Sequence, residues 1–286
     1  MTNKKPLQYG CYYHIYNRGN NRENLFVERR NYPYFLKLYA HHIQPVAETY
    51  AYCLLPNHFH FAIRTYTEAE QEAYWKRSQS SGDQSGSLLK SEPLSNPDDK
   101  TDPDQSDSQN GSISKIEPFS ATEPLSNLDD KTESDRMASQ SDDQSGPILE
   151  IGPLSNSEPL SPTFKLRPPS RAFNNMFIAY ARAFNKATQR TGALFESPFG
   201  RKIVDTHPYL ITLIAYIHRN PQKHGIVTDF REWLWSSYHA MLSSKPTKVQ
   251  RDEVLTWYHN RSQFIKTHLQ EVDEQFIASL IVDDWD

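Results

Sequence analysis

Cysteine and long apolar runs are both scarce in this chain of 286 residues. The two cysteines, Cys11 and Cys53, cannot build a disulfide framework, and both lie in apolar, strand-like runs, so buried free thiols are expected. No apolar stretch is long enough to span a bilayer, and no secretory signal pattern opens the chain. These absences predict a cytoplasmic protein that has no membrane partner.

Hydrophobic residues are also few, and the shortage is local. They make up 37% of the chain, with a mean hydropathy of -0.75. Residues 78–162 consist mainly of Ser, Asp, Pro, Gln, Asn and Gly, and EPLSNPDDKT from Glu92 recurs as EPLSNLDDKT from Glu123. Such a segment cannot bury enough apolar surface to offset its ordering entropy. A disordered, acidic, low-complexity insert with internal repeats is predicted there.

The residues outside the insert carry a positive net charge that the acidic insert offsets. Residues 78–162 carry 5 Lys and Arg against 17 Asp and Glu, a net charge of -12, whereas the whole chain has -4 and the remainder therefore +8. A basic body favours a polyanion such as nucleic acid, although +8 is moderate and also fits an ordinary surface.

Alternation and turn residues predict strands in the first part of the chain. One strand is expected over residues 12–16, followed by the turn-rich basic loop from Asn17 to Asn20. Two further runs, 49–55 and 58–65, are separated by Pro56-Asn57 and predict a β-hairpin.

Helical spacing of apolar residues predicts a helix over residues 32–43 and another from Phe173 to Phe184 that Gly192 ends. Residues 199–204 are strand-like. Asp205-Thr206 is expected to cap a helix that Pro221 ends, and residues 252–276 look helical.

Two histidines stand two residues apart in the second hairpin strand. Side chains alternate across a strand, so His58 and His60 project to one face while Phe59 projects to the other. Imidazoles aimed at one point can share a metal ion if a third ligand arrives from elsewhere. One His-x-His alone is weak, and partly exposed strand residues remain the alternative.

One helix carries two further polar residues on a common face. Tyr216 and Asn220 are four apart and therefore adjacent on the helix surface. With 16 tyrosines in the chain, spacing alone does not distinguish a catalytic tyrosine from a packing one.

Several stretches together resemble the HUH single-tyrosine transposases, above all the branch of REP-associated tyrosine transposases. In HUH, two histidines flank a bulky hydrophobic residue, here His58-Phe59-His60. The resemblance covers residues 8–65 and about 166–242. It is carried in order by HIYNRGNNRENLF, CLLPNHFHFAI, AFNNMFIAYARAFNKATQRTGALFESPFGRKIVD, YLITLIAYIHRNPQKHGIV and WLWSSYHAM.

The resemblance implies an α+β fold of the ferredoxin-like HUH nuclease type, a central antiparallel sheet with helices packed on one side. It divides the chain into a first domain part (1–77), the insert (78–162), a second part with the catalytic helix (163–242) and a C-terminal helical extension (243–286). The family usually has a shorter connection where this chain has its insert.

The implied activity is that of a metal-dependent nuclease and strand transferase acting on single-stranded or hairpin DNA, as monomer or homodimer. His58 and His60 match the metal ligands, Tyr216 the nucleophile, and Asn220 the residue that completes the metal site. A phenol is a weak nucleophile at neutral pH and needs a cation to polarise the phosphate. Mixed N and O ligands suit Mn²⁺, whereas cellular abundance favours Mg²⁺.

Basic and polar residues near these motifs are candidates for contacts with DNA, because phosphate contacts position a single strand. Ordinary surface charge explains them equally well. They are Asn17, Arg18, Asn20, Arg22, Arg201, Lys202 and Arg219. Asn57 fits either a residue that orients the histidines or, more simply, a turn residue.

Three other functions compete. A domesticated, non-catalytic DNA-binding protein would be expected to lack the tyrosine or a histidine, and both motifs are intact. A replication-initiator nuclease often carries helicase modules, and no Gly-rich phosphate-binding motif is present. A structural zinc site would need a full tetrahedral ligand set, for which Cys53 has no matching CxxC.

Overall fold

A four-stranded antiparallel sheet organises the protein, for which a computed structural model describes residues 5–80, 163–273 and 275–279. The strands are β1 (Tyr12–Arg18), β2 (Ala47–Leu54), β3 (His58–Thr65) and β4 (Gly200–Val204). Their order in the sheet is β2-β3-β1-β4, and all neighbouring strands are antiparallel. With a helix after β1 and helices between β3 and β4, this is the ferredoxin-like βαββαβ topology. The predicted α+β class is confirmed.

Seven α-helices accompany the sheet within the described residues. They are α1 (Asn31–Ile43), α2 (Glu68–Ser80), α3 (Pro169–Ala187), α4 (His207–Lys223), α5 (Tyr238–Leu242), α6 (Arg251–Trp257) and α7 (Arg261–Leu269).

Helices cover both faces of the sheet. On one face, Phe59 lies 5.1 Å from Phe35 of α1 and 5.7 Å from Phe177 of α3, measured between ring centroids. On the other, His60 faces Tyr216 of α4. The expectation of helices on one side is therefore wrong, because α4 has an apolar stripe of its own and buries it against β2 and β3.

Several boundaries differ from the sequence prediction. β1 continues through Asn17 and Arg18, which were expected in a loop, because both pair with β3. α3 ends at Ala187, before Gly192. α4 continues past Pro221, whose missing N–H falls in the last turn, and ends at Lys223.

The C-terminal region also differs, since the expected single helix over 252–276 is broken into α6 and α7. His259 adopts a positive φ of 64° between them, and the side chain of Asn260 caps α7 by accepting from the N–H of Gln263. At α4 the expected cap is confirmed, because Thr206 accepts from the N–H of Tyr209.

A hydrogen-bonded clasp joins the two chain segments that flank the insert. The side-chain amide of Gln71 in α2 donates to the carbonyl of Arg167 and accepts from its N–H, each over 3.1 Å. Helix α2 was not predicted, and it includes residues 78–80, which were assigned to the insert. The predicted disorder of the rest of the insert falls on residues 81–162, which lie outside the described residues.

Both cysteines are free thiols, as predicted, but only Cys53 is fully buried, and Cys11 is partly exposed. Across the described part of the chain, none of the helices has the length and apolar character needed to traverse a membrane.

Candidate active site

The two histidines of the motif lie side by side on β3. They project to the α4 face, where His58 and His60 are 4% and 3% exposed and their ring centroids lie 5.2 Å apart. Alternation along the strand sends Phe59 and Phe61 into the core on the opposite face.

Each histidine is held through its Nδ1 atom. Asn57 Oδ1 lies 2.7 Å from His58 Nδ1, and since an amide oxygen only accepts, His58 carries a proton there and keeps a lone pair on Nε2. His14 Nε2 lies 2.9 Å from His60 Nδ1. Asn57, for which the sequence favoured the role of a turn residue, thus contacts the histidine that follows it.

Helix α4 brings the predicted tyrosine and asparagine to the same face. The ring of Tyr216 stands nearly perpendicular to that of His60, with centroids 6.0 Å apart. Asn220 is fully buried and donates from Nδ2 to the carbonyl of Tyr216 over 3.1 Å. The four residues predicted from the motifs therefore form one cluster between β3 and α4.

Burial keeps both imidazoles neutral. The pKa of His58 is lowered to about 3, first by burial and then by His224 and Arg18, while Asn220 opposes the shift. The pKa of His60 is lowered well below its usual value by burial and by the neighbouring His14. Neutral imidazoles are the form that binds a metal ion.

The cluster fits a divalent cation, although no set of three or more His, Cys, Asp or Glu side chains within the described ranges is arranged to hold one. The Oδ1 atom of Asn220 is buried without a hydrogen-bond partner, while this side chain lies close enough to His58 to affect its pKa. Two neutral imidazoles and one amide oxygen form a mixed N and O donor set, which leaves octahedral positions for phosphate and water.

The nucleophile candidate is itself covered. Tyr216 is 4% exposed, and Lys223, two helical turns further along, places its Nζ 5.2 Å from the centre of the tyrosine ring. The ammonium group adds positive charge beside the phenol and lies at the exposed end of α4.

The predicted DNA-contacting residues do not lie together, and only two of them are close to the histidine cluster. Arg18 pairs across the ladder with His58 and forms an ion pair with Glu196 over 2.6 Å. Lys202 is exposed and pairs with His14, so it also lies on the α4 face. Both are near the cluster.

Three of these residues lie elsewhere. Asn17 is 3% exposed and points to the phenylalanine face, donating to the carbonyl of Glu196. Arg201 stacks on Phe199, 3.7 Å from the ring centre, on that same face. Arg219 donates to the carbonyl of His268 over 2.8 Å and so faces α7.

The loop after β1 holds the remaining two. Arg22 is exposed, and Asn20 is half-buried and donates to the carbonyl of Ala193 over 2.9 Å. Arg22 therefore remains available to a ligand.

Sequence reasoning missed three residues of the cluster: His14, Lys223 and His224, whose ring lies 4.8 Å from that of His58. Helical spacing could have found two of them, because Lys223 follows Tyr216 by seven residues and His224 follows Asn220 by four. His14 depends on the pairing of β1 with β3, which spacing along one strand does not reveal.

No protein-family model and no curated protein matches the sequence. A solved structure of a REP-associated tyrosine transposase bound to a REP hairpin is similar over 85% of this chain and 86% of its own. The two chains share 12% sequence identity, and the TM-score is 0.40. The assignment of the site rests on the geometry of this chain.

Proposed function

We propose that this protein is a metal-dependent endonuclease and strand transferase for single-stranded DNA that uses Tyr216 as its nucleophile. The observation that carries the proposal is the convergence of two neutral, buried imidazoles, a buried amide oxygen and a tyrosine between one strand and one helix. The preference for hairpin DNA comes from the resemblance of the sequence motifs to REP-associated tyrosine transposases.

His58, His60 and Asn220 would hold a Mn²⁺ or Mg²⁺ ion, which supplies Lewis-acid polarisation of the scissile phosphate. The Tyr216 oxygen attacks phosphorus and loses its proton. The bond from phosphorus to the 3′ oxygen breaks, and that oxygen takes up a proton. The products are a 5′-phosphotyrosyl linkage and a free 3′-OH, and attack by a second 3′-OH reverses the step and joins strands without a nucleotide cofactor.

The burial of Tyr216 restricts how the substrate reaches its phenol oxygen. Because Tyr216 is 4% exposed, substrate has to displace the side chains that cover it, among them Lys223. Lys223, Arg18 and Lys202 supply cationic groups on this face, and cations of this kind position phosphates.

The experiment compares the parent protein with Tyr216→Phe and with Tyr209→Phe, a matched tyrosine on the same helix that packs against Phe276. Each is incubated with Mn²⁺ and labelled single-stranded hairpin DNA from the flanks of its own gene, and a covalent adduct is sought on a denaturing gel. We expect an adduct in the parent and in Tyr209→Phe. We expect none in Tyr216→Phe or after addition of EDTA.

An adduct that persists in Tyr216→Phe would refute the nucleophile. Hairpin binding without an adduct in the parent would favour the domesticated DNA-binding protein. A structural zinc site has one further donor to consider, Cys53, which lies opposite His60. Burial raises the pKa of this thiol well above its usual value, so it does not readily supply the thiolate that zinc binds.

A further inference from the structure

His14 is a buried polar residue on the ligand face that neither the metal set nor the nucleophile accounts for. It lies in the middle of β1 and is fully buried. Its ring lies beside that of His60 and nearly parallel to it, with centroids 5.1 Å apart and planes inclined by 24°. The rings of Tyr16 and Tyr216 lie 5.0 Å and 6.5 Å away.

Packing alone does not require an imidazole at this position. The neighbours on this face of β1, Tyr12 and Tyr16, are aromatic, and an aromatic ring without nitrogen would fill the space without the cost of burying polar atoms. The imidazole has a specific partner instead, since its Nε2 atom lies 2.9 Å from His60 Nδ1.

This contact controls how His60 presents its other nitrogen. The two nitrogens lie on different edges of an imidazole, so holding Nδ1 against β1 turns Nε2 away from His14 and fixes the orientation of the ring. A proton on His60 Nδ1, donated to His14, leaves the lone pair of Nε2 for a ligand. Asn57 acts on His58 in the same way over 2.7 Å.

We infer that His14 is a positioning residue that keeps His60 in the tautomer with the proton on Nδ1, an inference that rests on the proposed function. In this role His14 acts through His60 and binds neither DNA nor the ion itself. It sets the direction and the basicity of one ligand, as outer hydrogen-bond partners of metal-bound histidines do.

Three full-length proteins test the inference: the parent, His14→Phe and His14→Gln. Phenylalanine keeps the packing and removes the acceptor. Glutamine restores an acceptor, because its amide oxygen can take the place of His14 Nε2. Two-bond ¹H–¹⁵N correlation spectra of the histidine rings, recorded without metal, report which nitrogen of His60 carries the proton. Mn²⁺ affinity is then measured from the free-ion signal in electron paramagnetic resonance.

We expect His60 protonated on Nδ1 in the parent and in His14→Gln, and a changed tautomer population in His14→Phe. Mn²⁺ affinity should fall about 10- to 100-fold in His14→Phe, the usual effect of removing an outer partner, and stay within about threefold in His14→Gln. A parent with the proton on Nε2, or equal affinity in parent and His14→Phe, would overturn the inference. If His14→Phe does not fold, the parent and His14→Gln spectra still test the inference, because a proton on Nε2 of His60 in either protein would overturn it.

The two readouts separate failure of the inference from failure of the proposed function. Nδ1 protonation that depends on position 14, without Mn²⁺ binding, would leave His14 as the residue that orients His60 and would refute the metal-dependent activity. Mn²⁺ binding that is lost on His58→Ala but unaffected in His14→Phe would support the activity and refute the role of His14.

Discussion

Helix α4 separates two buried histidine pairs whose contacts have the same length and whose surroundings differ. His14 and His60 meet over 2.9 Å on the sheet side, and His218 and His268 meet over 2.9 Å on the α7 side. In the second pair every ring nitrogen has a partner, because His218 Nε2 lies 2.7 Å from Ser237 Oγ and His268 Nδ1 donates to the carbonyl of Phe264.

The second pair therefore forms a hydrogen-bond chain with a single direction. The carbonyl of Phe264 only accepts, so His268 Nε2 accepts from His218 Nδ1, and His218 Nε2 accepts from Ser237. Ser237 also accepts from the N–H of Tyr52 in β2. A saturated chain of this kind connects α7, α4 and the sheet. In the first pair His60 contacts His14 through Nδ1, and its Nε2 points away from that contact. A histidine that binds a metal ion through Nε2 needs this orientation.

Removing an imidazole from the first pair should reduce formation of the covalent DNA adduct, and this is the largest effect expected in either pair. For His60→Ala we expect the covalent DNA adduct to fall by about 100-fold or more, because loss of a ligand should exceed the effect of losing an outer partner. Gel quantification of the adduct at matched concentrations of folded protein measures this. Unchanged adduct formation would show that His60 is not a metal ligand needed for the reaction.

Removing a ring from the second pair should affect folding instead. His218→Ala leaves a cavity and unpaired partners, so the free energy of unfolding should fall by about 2–4 kcal/mol. Urea denaturation measures the loss, and the adduct yield per folded molecule at low temperature should remain near that of the parent. A variant of normal stability without activity would reverse the two roles.

Acid should weaken the second pair. Burial lowers the pKa of His268 to about 4 and that of His218 well below its usual value, whereas a histidine in the unfolded chain titrates near about 6.5. The unfolded chain takes up protons first, so stability that is fully present above about pH 6.5 is lost as the pH falls toward 4.

For His268 this loss amounts to about 3 kcal/mol. His268→Gln should be less stable than the parent at pH 7 and should show a shallower decline between pH 6.5 and 4 in urea titrations. The contribution of His58, whose pKa is about 3, to the free energy of unfolding falls equally in both proteins. The difference between the two stability curves is therefore the informative quantity. Parallel curves would contradict the assignment.

The smallest effect is expected at the end of the chain of hydrogen bonds. Ser237→Ala removes the hydroxyl that joins His218 to the N–H of Tyr52 and should cost about 1–2 kcal/mol of unfolding free energy. Ser236→Ala, the neighbouring buried serine, is the control. An equal loss in both variants would argue against a specific role of Ser237.

Neighbours within one helix or strand were predicted from the sequence more successfully than contacts between different elements. The spacing of His58 with His60, and of Tyr216 with Asn220, follows from strand and helix periodicity. The contact between His14 and His60 depends on strand register, and that between His218 and His268 on how the C-terminal helices fold back. Neither is encoded in a local pattern.

Two errors had local causes. Helix α2 is charged and buries a single residue, Gln71, so it lacks the apolar stripe that identifies a helix. Pro221 was expected to end α4, but its last turn tolerates the missing N–H, and this extension brings Lys223 over Tyr216.

The clasp between Gln71 and Arg167 affects how long the insert between these two residues can be. Gln71 and Arg167 stand on either side of the insert and are joined by two hydrogen bonds, so the chain segments that flank the insert are held together on the domain. Closing a flexible loop costs free energy only as the logarithm of its length, about 0.6 kcal/mol for each doubling. Residues can therefore accumulate between the two anchors by sequence duplication with little effect on the sheet, and a domain of this type can host a variable segment without giving up its site.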